Sequence, residues 1–153
     1  MLSLHYAPDN ASLIIRIALE ELGLPYQTKL VDRRVSDQTS PAYKAVNPRG
    51  RIPALETPDG PIFETAAILL WLTERAGAMA PPPGTPGRGA FLSWLFAVSN
   101  GVQADLHQMF QTERYAGDEA EAVGIHRART AGRIRETLDL LEGLASAGHD
   151  WFC

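Results

Sequence analysis

Only one cysteine occurs in the chain, Cys153, and it is the last residue. An internal disulfide is therefore impossible, which excludes a disulfide-stapled scaffold and fits a reducing, cytoplasmic setting. No apolar run approaches the ~20 residues that a membrane span needs. The opening residues, Met1 to Asn10, have neither a basic flank nor an apolar core and do not read as a secretory signal. Positive charge is also short. Fourteen Lys and Arg face 18 Asp and Glu, a formal net charge of -4, which argues against non-specific binding to nucleic acid or anionic membrane. What is present is a chain of 153 residues that is 45% apolar, enough to pack a core.

The composition changes sharply once. Residues 77–88, GAMAPPPGTPGR, hold four prolines and three glycines. Such a stretch cannot continue a helix and reads as a linker. The expected organisation is a mixed α/β domain over 1–77, a linker over 78–87 and an all-helical domain over 88–153. In the first half, Leu2–Tyr6 reads as a strand. Leu13 to Leu22 carries a helical apolar stripe closed by Gly23 and Pro25. Tyr26 to Val31 is a second strand, and Ser40-Pro41 caps and opens a short helix. Ile52 to Glu56 and Pro61 to Phe63 are strands around a Pro58-Asp59-Gly60 turn. Thr65 to Arg75 is a helix closed by Gly77. The order β-α-β-α-β-β-α predicts a four-stranded sheet with helices on its faces. The second half predicts a helical stretch from Arg88 to about Tyr115, then a long helix capped by Asp118 and running to about Ala147. Arg127, Arg129, Arg133 and Arg135 of that helix read as a solvated face.

Three loop stretches carry the chemistry, and the predicted strand order puts them at one end of the sheet. The first is Ala7-Pro8-Asp9-Asn10-Ala11-Ser12, where a strand turns into a helix. Free N–H groups and the positive helix end favour an anion there, and a thiol in that place becomes more acidic. The turn has no cysteine, so a ligand must bring the thiol; otherwise Asn10 or Ser12 simply caps the helix. The second is Asn47 to Pro53. Pro53 cannot donate to a ladder, and the Ile52–Pro53 bond is either an ordinary trans turn or a cis bond that turns the Ile52 N–H and C=O outward to pair with a ligand backbone. The third is Glu64-Thr65, which offers a carboxylate to an amine and a hydroxyl and N–H to a carboxylate, or else a plain helix cap.

Together these stretches resemble the glutathione transferase family. NPRGRIP at 47–53 is similar to its Asn-Pro-x-Gly-x-Val-Pro pattern, FETAAILLWL at 63–72 to its Glu-Ser-x-Ala-Ile pattern, and IALEELGLPYQ at 17–27 to its first helix and second strand. The resemblance covers essentially the whole chain. It implies a thioredoxin-like α/β domain with a cis-proline at Pro53, followed by an all-α domain. It implies that glutathione is the co-substrate and that no metal is needed. Ile52 and the peptide before Pro53 would pair with the cysteinyl backbone, Glu64 and Thr65 would hold the γ-glutamyl head, and Arg51 would reach the glycine carboxylate. DLHQMF at 105–110 resembles a stretch of the bacterial cysteine-bearing class. By that likeness Asp105 would contact glutathione in the same or the partner subunit, and His107 would line the pocket for a small hydrophobic electrophile. Phe110 and Tyr115 are further pocket candidates, with Trp94 and Met109 beside them at helical spacing.

The chain departs from that class at its cysteine, which is replaced by Ala11. Tyr6, Asn10 and Ser12 remain as candidate catalytic donors to the ligand's thiolate. The chain also ends before the further helices usual in the family, so the helical half is expected to be incomplete and a homodimer to cover it. The reading is a detoxifying transferase that conjugates glutathione to small electrophiles. The alternatives are a glutathione-dependent disulfide reductase or peroxidase on the same fold, and a non-catalytic interaction module. No nucleic-acid or membrane partner is expected.

Overall fold

The structure, a computed structural model, describes residues 1–147. Cys153, the single cysteine, lies outside the described residues. The chain divides into two compact units, Met1–Pro82 and a second that begins at Pro83.

The first unit is built on a four-stranded sheet in the order β2-β1-β3-β4. Its strands are β1 (Leu2–Tyr6), β2 (Tyr26–Leu30), β3 (Ala54–Thr57) and β4 (Gly60–Phe63). β1 runs parallel to β2, from Leu2 opposite Tyr26 to Tyr6 opposite Leu30. The other two pairings, β1 with β3 and β3 with β4, are antiparallel. The helices are α1 (Ser12–Glu21), α2 (Pro41–Val46) and α3 (Thr65–Ala76). Leu2 and Leu4 of β1 pack with Leu55, with Ile15, Ala18 and Leu19 of α1, and with Ile68 and Leu72 of α3. A smaller cluster of Val31, Tyr43 and Ala54 brings in α2. Strand residues alternate faces, and β1 is buried at all four of its first positions, Leu2 to His5, as a strand covered on both sides must be. This is the expected thioredoxin-like βαβαββα unit with a cis Ile52–Pro53 bond.

The punctuation follows local chemistry. Ser40 Oγ accepts from Tyr43 N, with Pro41 in the first helical position. Gly77 closes α3 in the left-handed region at φ 64°. Several details differ from expectation. β3 begins at Ala54, because Pro53 has no N–H for the ladder. β2 ends at Leu30, although Val31 N still donates to Tyr6 O at 2.8 Å. The β2–α2 connection holds two short 3-10 turns, Arg33–Val35 and Asp37–Thr39, which no pattern announced. The first is capped by Asp32, whose carboxyl is held down at about 2 by hydrogen bonds from Arg34.

The second unit is helical over its described residues, with four α-helices: α4 (Arg88–Ala97), α5 (Gln103–Phe110), α6 (Glu113–Ala116) and α7 (Ala120–Ala145). The stretch read as continuous from Arg88 to Tyr115 is broken twice. A π-helical segment, Val98–Val102, joins α4 to α5. After α5, Gln111 leaves helical geometry, and the buried Thr112 turns its hydroxyl back to the carbonyls of Gln108 and Met109. α7 starts one residue later than an Asp118 cap requires. Glu119 holds the N-cap position and makes no side-chain cap bond, so Asp118 is not the cap. The arginines of α7 are exposed as expected, but Arg133 is also bound to Asp105.

Leu55 is fully buried between the sheet and α1 and α3. Leu55→Ala is expected to cost about 2–5 kcal/mol, read as a lower urea midpoint with an unchanged slope.

Candidate functional site

The register of the sheet gathers the three loop stretches. His5, the last paired residue of β1 on that side, faces Ala54, and Ala54 faces Phe63. The 7–12 turn leaves the sheet just beyond His5, Ile52-Pro53 enters just before Ala54, and Glu64-Thr65 comes directly after Phe63. All three therefore lie at one end of the sheet.

In the turn, Asn10 Oδ1 accepts from Ser12 N at 2.7 Å, and Asp9 takes a positive φ of 52°. This leaves the Asn10 amide NH₂ as its free donor. Ser12 is buried and its hydroxyl donates to Ala7 O at 3.1 Å. Its proton is thus committed to closing the turn. Tyr6 packs its ring against the larger core cluster. Arg33 reaches across to Pro8 O at 2.7 Å and ties the turn to the β2–α2 connection.

The second stretch is locked from beneath. Asn47 is buried, and its Oδ1 accepts from Arg49 N at 3.0 Å while its Nδ2 donates to Arg51 O at 2.7 Å. Tyr43 Oη donates to the same Arg51 O at 2.6 Å. Burial pushes the Tyr43 phenol up to about 12, so it stays a donor at any ordinary pH. Gly50 sits at φ 62°, and a Cβ there would stand 2.8 Å from Gln38 O, so only glycine suits both demands. Ile52 lies outside the sheet register, Pro53 is buried, and Arg51 is exposed.

At the third stretch Glu64 is the N-cap of α3 at φ 71°, an uncommon conformation for a residue with a side chain. Its Oε1 receives Arg49 Nη1 at 2.6 Å. Thr65, next to it, is buried. Sequence reasoning missed Arg49, which stands at the variable position of its pattern, and Gln38, whose buried Oε1 has no hydrogen-bond partner. It also gave Asn47 no role, although an asparagine followed by Pro48 and Gly50 is a signal for an Asx turn.

Behind the site, His5 Nε2 donates to Glu56 Oε1 at 2.7 Å, and Lys29 Nζ donates to Glu56 Oε2 at 3.0 Å. The hydrogen bond from His5, and then that from Lys29, hold the Glu56 carboxyl below its ordinary value. A carboxyl lowered by folding adds stability above its unfolded pKa and loses it as the pH falls through the folded one. Glu56→Gln is expected to cost about 1 kcal/mol at neutral pH. The gap between variant and wild type should close below the ordinary carboxylate range, as read by urea melts at neutral and acid pH.

In the second unit, Asp105 is held by Arg133 at 2.7 Å and is mostly covered, so its carboxylate is engaged within that unit. His107 Nδ1 lies 2.8 Å from Tyr115 Oη, and the Tyr115 ring stacks on His126. Phe110 is 77% exposed, and Trp94 and Met109 are half-buried. Among the described residues there is no cluster of three or more His, Cys, Asp or Glu able to hold a metal, and no helix long and apolar enough to cross a membrane.

A sheet of this topology, with the three loops at one end, defines a thioredoxin-like domain. Residues 11–75 match the family model for the glutathione S-transferase N-terminal domain. The chain is 34% identical over 115 residues to the disulfide-bond oxidoreductase YfcG of Escherichia coli, spanning 71% of this chain and 53% of that protein. It is 40% identical over 107 residues to a maleylacetoacetate isomerase of Pseudomonas aeruginosa, spanning 68% and 49%. Among solved structures, a glutathione transferase of Burkholderia graminis with two glutathione molecules bound per subunit superposes with a TM-score of 0.85 at 31% identity, over 99% of this chain and 64% of that one. The chain belongs to the glutathione S-transferase family. It spans about half the length of the curated relatives it matches.

Proposed function

We propose that this protein binds glutathione at the loop end of its sheet and uses the ligand's own thiol as its nucleophile. The observation that carries this reading is the convergence of the three loops through the His5–Ala54–Phe63 register. In this reading Ile52 pairs its backbone with the cysteinyl residue beside Pro53. Glu64 and Thr65 take the γ-glutamyl head, and Arg51 takes the glycine carboxylate. The sulfur lies at the start of α1, where the helix dipole favours the thiolate.

Of the three donors, Asn10 fits the sulfur best. Its Oδ1 is occupied by Ser12 N, which leaves its NH₂ to donate. Ser12 spends its proton on Ala7 O, and Tyr6 serves the core. The thiolate attacks a small apolar electrophile, forming a sulfur–carbon bond and expelling the leaving group. The electrophile's pocket draws on His107, Phe110 and Tyr115 of the helical unit. The reading includes a homodimer and a cytoplasmic glutathione pool.

A second reading, disulfide reduction, is favoured by Ala11 in the turn, by the named activity of the Escherichia coli relative, and by the two glutathiones in the Burkholderia neighbour. One glutathione thiolate attacks a disulfide and expels a thiolate. A second glutathione then attacks the mixed disulfide, which gives two substrate thiols and glutathione disulfide with no protein thiol involved.

Glutathione in hundredfold excess over its Kd should stabilise the protein by about 2.7 kcal/mol, seen as a rise in Tm; no rise would favour a non-catalytic interaction module. Parallel assays with chlorodinitrobenzene and hydroxyethyl disulfide separate transferase from reductase. Asn10→Ala should lower kcat/KM about ten- to hundredfold, the loss of one hydrogen bond to a charged group, while Ser12→Ala should act mainly on stability.

A further inference from the structure

His5 is a buried ionisable group that the proposed chemistry leaves unused. It stands on β1, 8% exposed, where an apolar residue would pack without the cost of covering a polar ring. His5 pairs with Lys29 of β2, and Ser3, two residues away on the same side, pairs with Glu56 of β3, so His5, Lys29 and Glu56 share one face of the sheet. Leu2 and Leu4 occupy the opposite face, against α1 and α3. On its own face the His5 ring is held at two points. Nε2 donates to Glu56 Oε1 at 2.7 Å, and the ring stands against that of Tyr43 with centroids 5.5 Å apart and planes tilted by 58°. Glu56 is itself anchored, because Lys29 Nζ donates to its other oxygen at 3.0 Å. Tyr43 in turn holds the second loop. Its Oη donates to Arg51 O at 2.6 Å, and Ile52 packs against the cluster that Tyr43 forms with Val31 and Ala54.

We propose that His5 is a positioning residue for the backbone that receives glutathione. Glu56 fixes the imidazole, the imidazole fixes the Tyr43 ring, and Tyr43 fixes the peptide that presents Ile52. Apolar packing at position 5 would fill the space without direction, whereas a hydrogen bond at one end of the ring sets its plane. The Arg51 carbonyl lies directly before the Ile52 groups that pair with the cysteinyl residue in the glutathione reading. A tilt of Tyr43 therefore reaches the ligand as a displaced backbone partner and weakens its binding. The start of α1, where the sulfur sits, is not part of this chain of contacts. The inference rests on the glutathione reading and extends it to His5 and Glu56, neither of which touches the ligand in that reading.

The test is a double-mutant cycle in glutathione affinity, measured by calorimetry on the wild type, His5→Leu, Tyr43→Phe and the double variant. Tyr43→Phe should weaken glutathione about tenfold, the loss of one hydrogen bond. His5→Leu should weaken it about five- to tenfold when Tyr43 is present and less than about twofold once Tyr43→Phe is in place. Glu56→Ala removes the anchor from a partly exposed position. It should show the same pattern at smaller size, and it carries the test should His5→Leu fold poorly. Turnover at saturating glutathione, with whichever of chlorodinitrobenzene and hydroxyethyl disulfide the wild type converts, should stay within about twofold in His5→Leu, so that the loss falls on KM and not on kcat. A merely structural histidine would lower Tm and leave the affinity unchanged, or lower the affinity equally with and without the Tyr43 hydroxyl. Either result overturns the positioning role and leaves the glutathione reading standing. If the wild type binds no glutathione, that reading falls and the role falls with it.

Discussion

The carboxamide of Asn47 is the contact on which the candidate site depends. It is buried, and it satisfies a backbone donor at Arg49 and a backbone acceptor at Arg51 with one side chain. A buried amide without those partners would be costly, so loop and side chain require each other. Tyr43 adds a second bond to the Arg51 carbonyl from α2, which couples the loop to the smaller core cluster. The path of the chain beyond the loop is then fixed: Pro53 is buried, β3 begins at Ala54, and the register brings Phe63 and Glu64 alongside. The chemistry of the site sits on exposed tips, but its position is set by a polar group in the interior.

This arrangement separates holding from reacting. Ser12, Asn47, Tyr43 and Gly50 are occupied with the backbone. Arg49, Arg51 and Glu64 stand exposed beside them. A turn without a protein thiol is consistent with this division. A ligand that carries its own sulfur asks the turn for donors and a positive helix end, and both come from main chain and one amide.

Much of the first unit was legible in the sequence because several of its elements are bounded by a residue with a local reason to be there. Gly23 and Gly77 adopt the left-handed geometry that ends a helix, and Ser40-Pro41 begins one. The β1–β3–β4 order then brings the three motif loops together without further information. The helical unit was less legible. Its break falls at Gln111 and Thr112, and the hydroxyl back-bond that Thr112 makes also occurs at Thr130 within the unbroken α7, so a threonine there does not announce a break. The same holds for Asp105, whose partner Arg133 lies 28 residues away. The Arg49–Glu64 contact was illegible for a related reason: it joins a variable position to a motif position across two strands.

The sheet leaves two strands on its margins, β2 and β4. Each margin is a row of backbone groups open to pairing with another chain. Pro61 interrupts β4 with a residue that has no N–H, and Lys29 puts a charge on β2 that Glu56 of β3 anchors in place. These short strands are thereby poor templates for sideways growth. Crowding many copies of the chain together gives their edges little to zip onto, so extended β-assembly is disfavoured by the strands themselves.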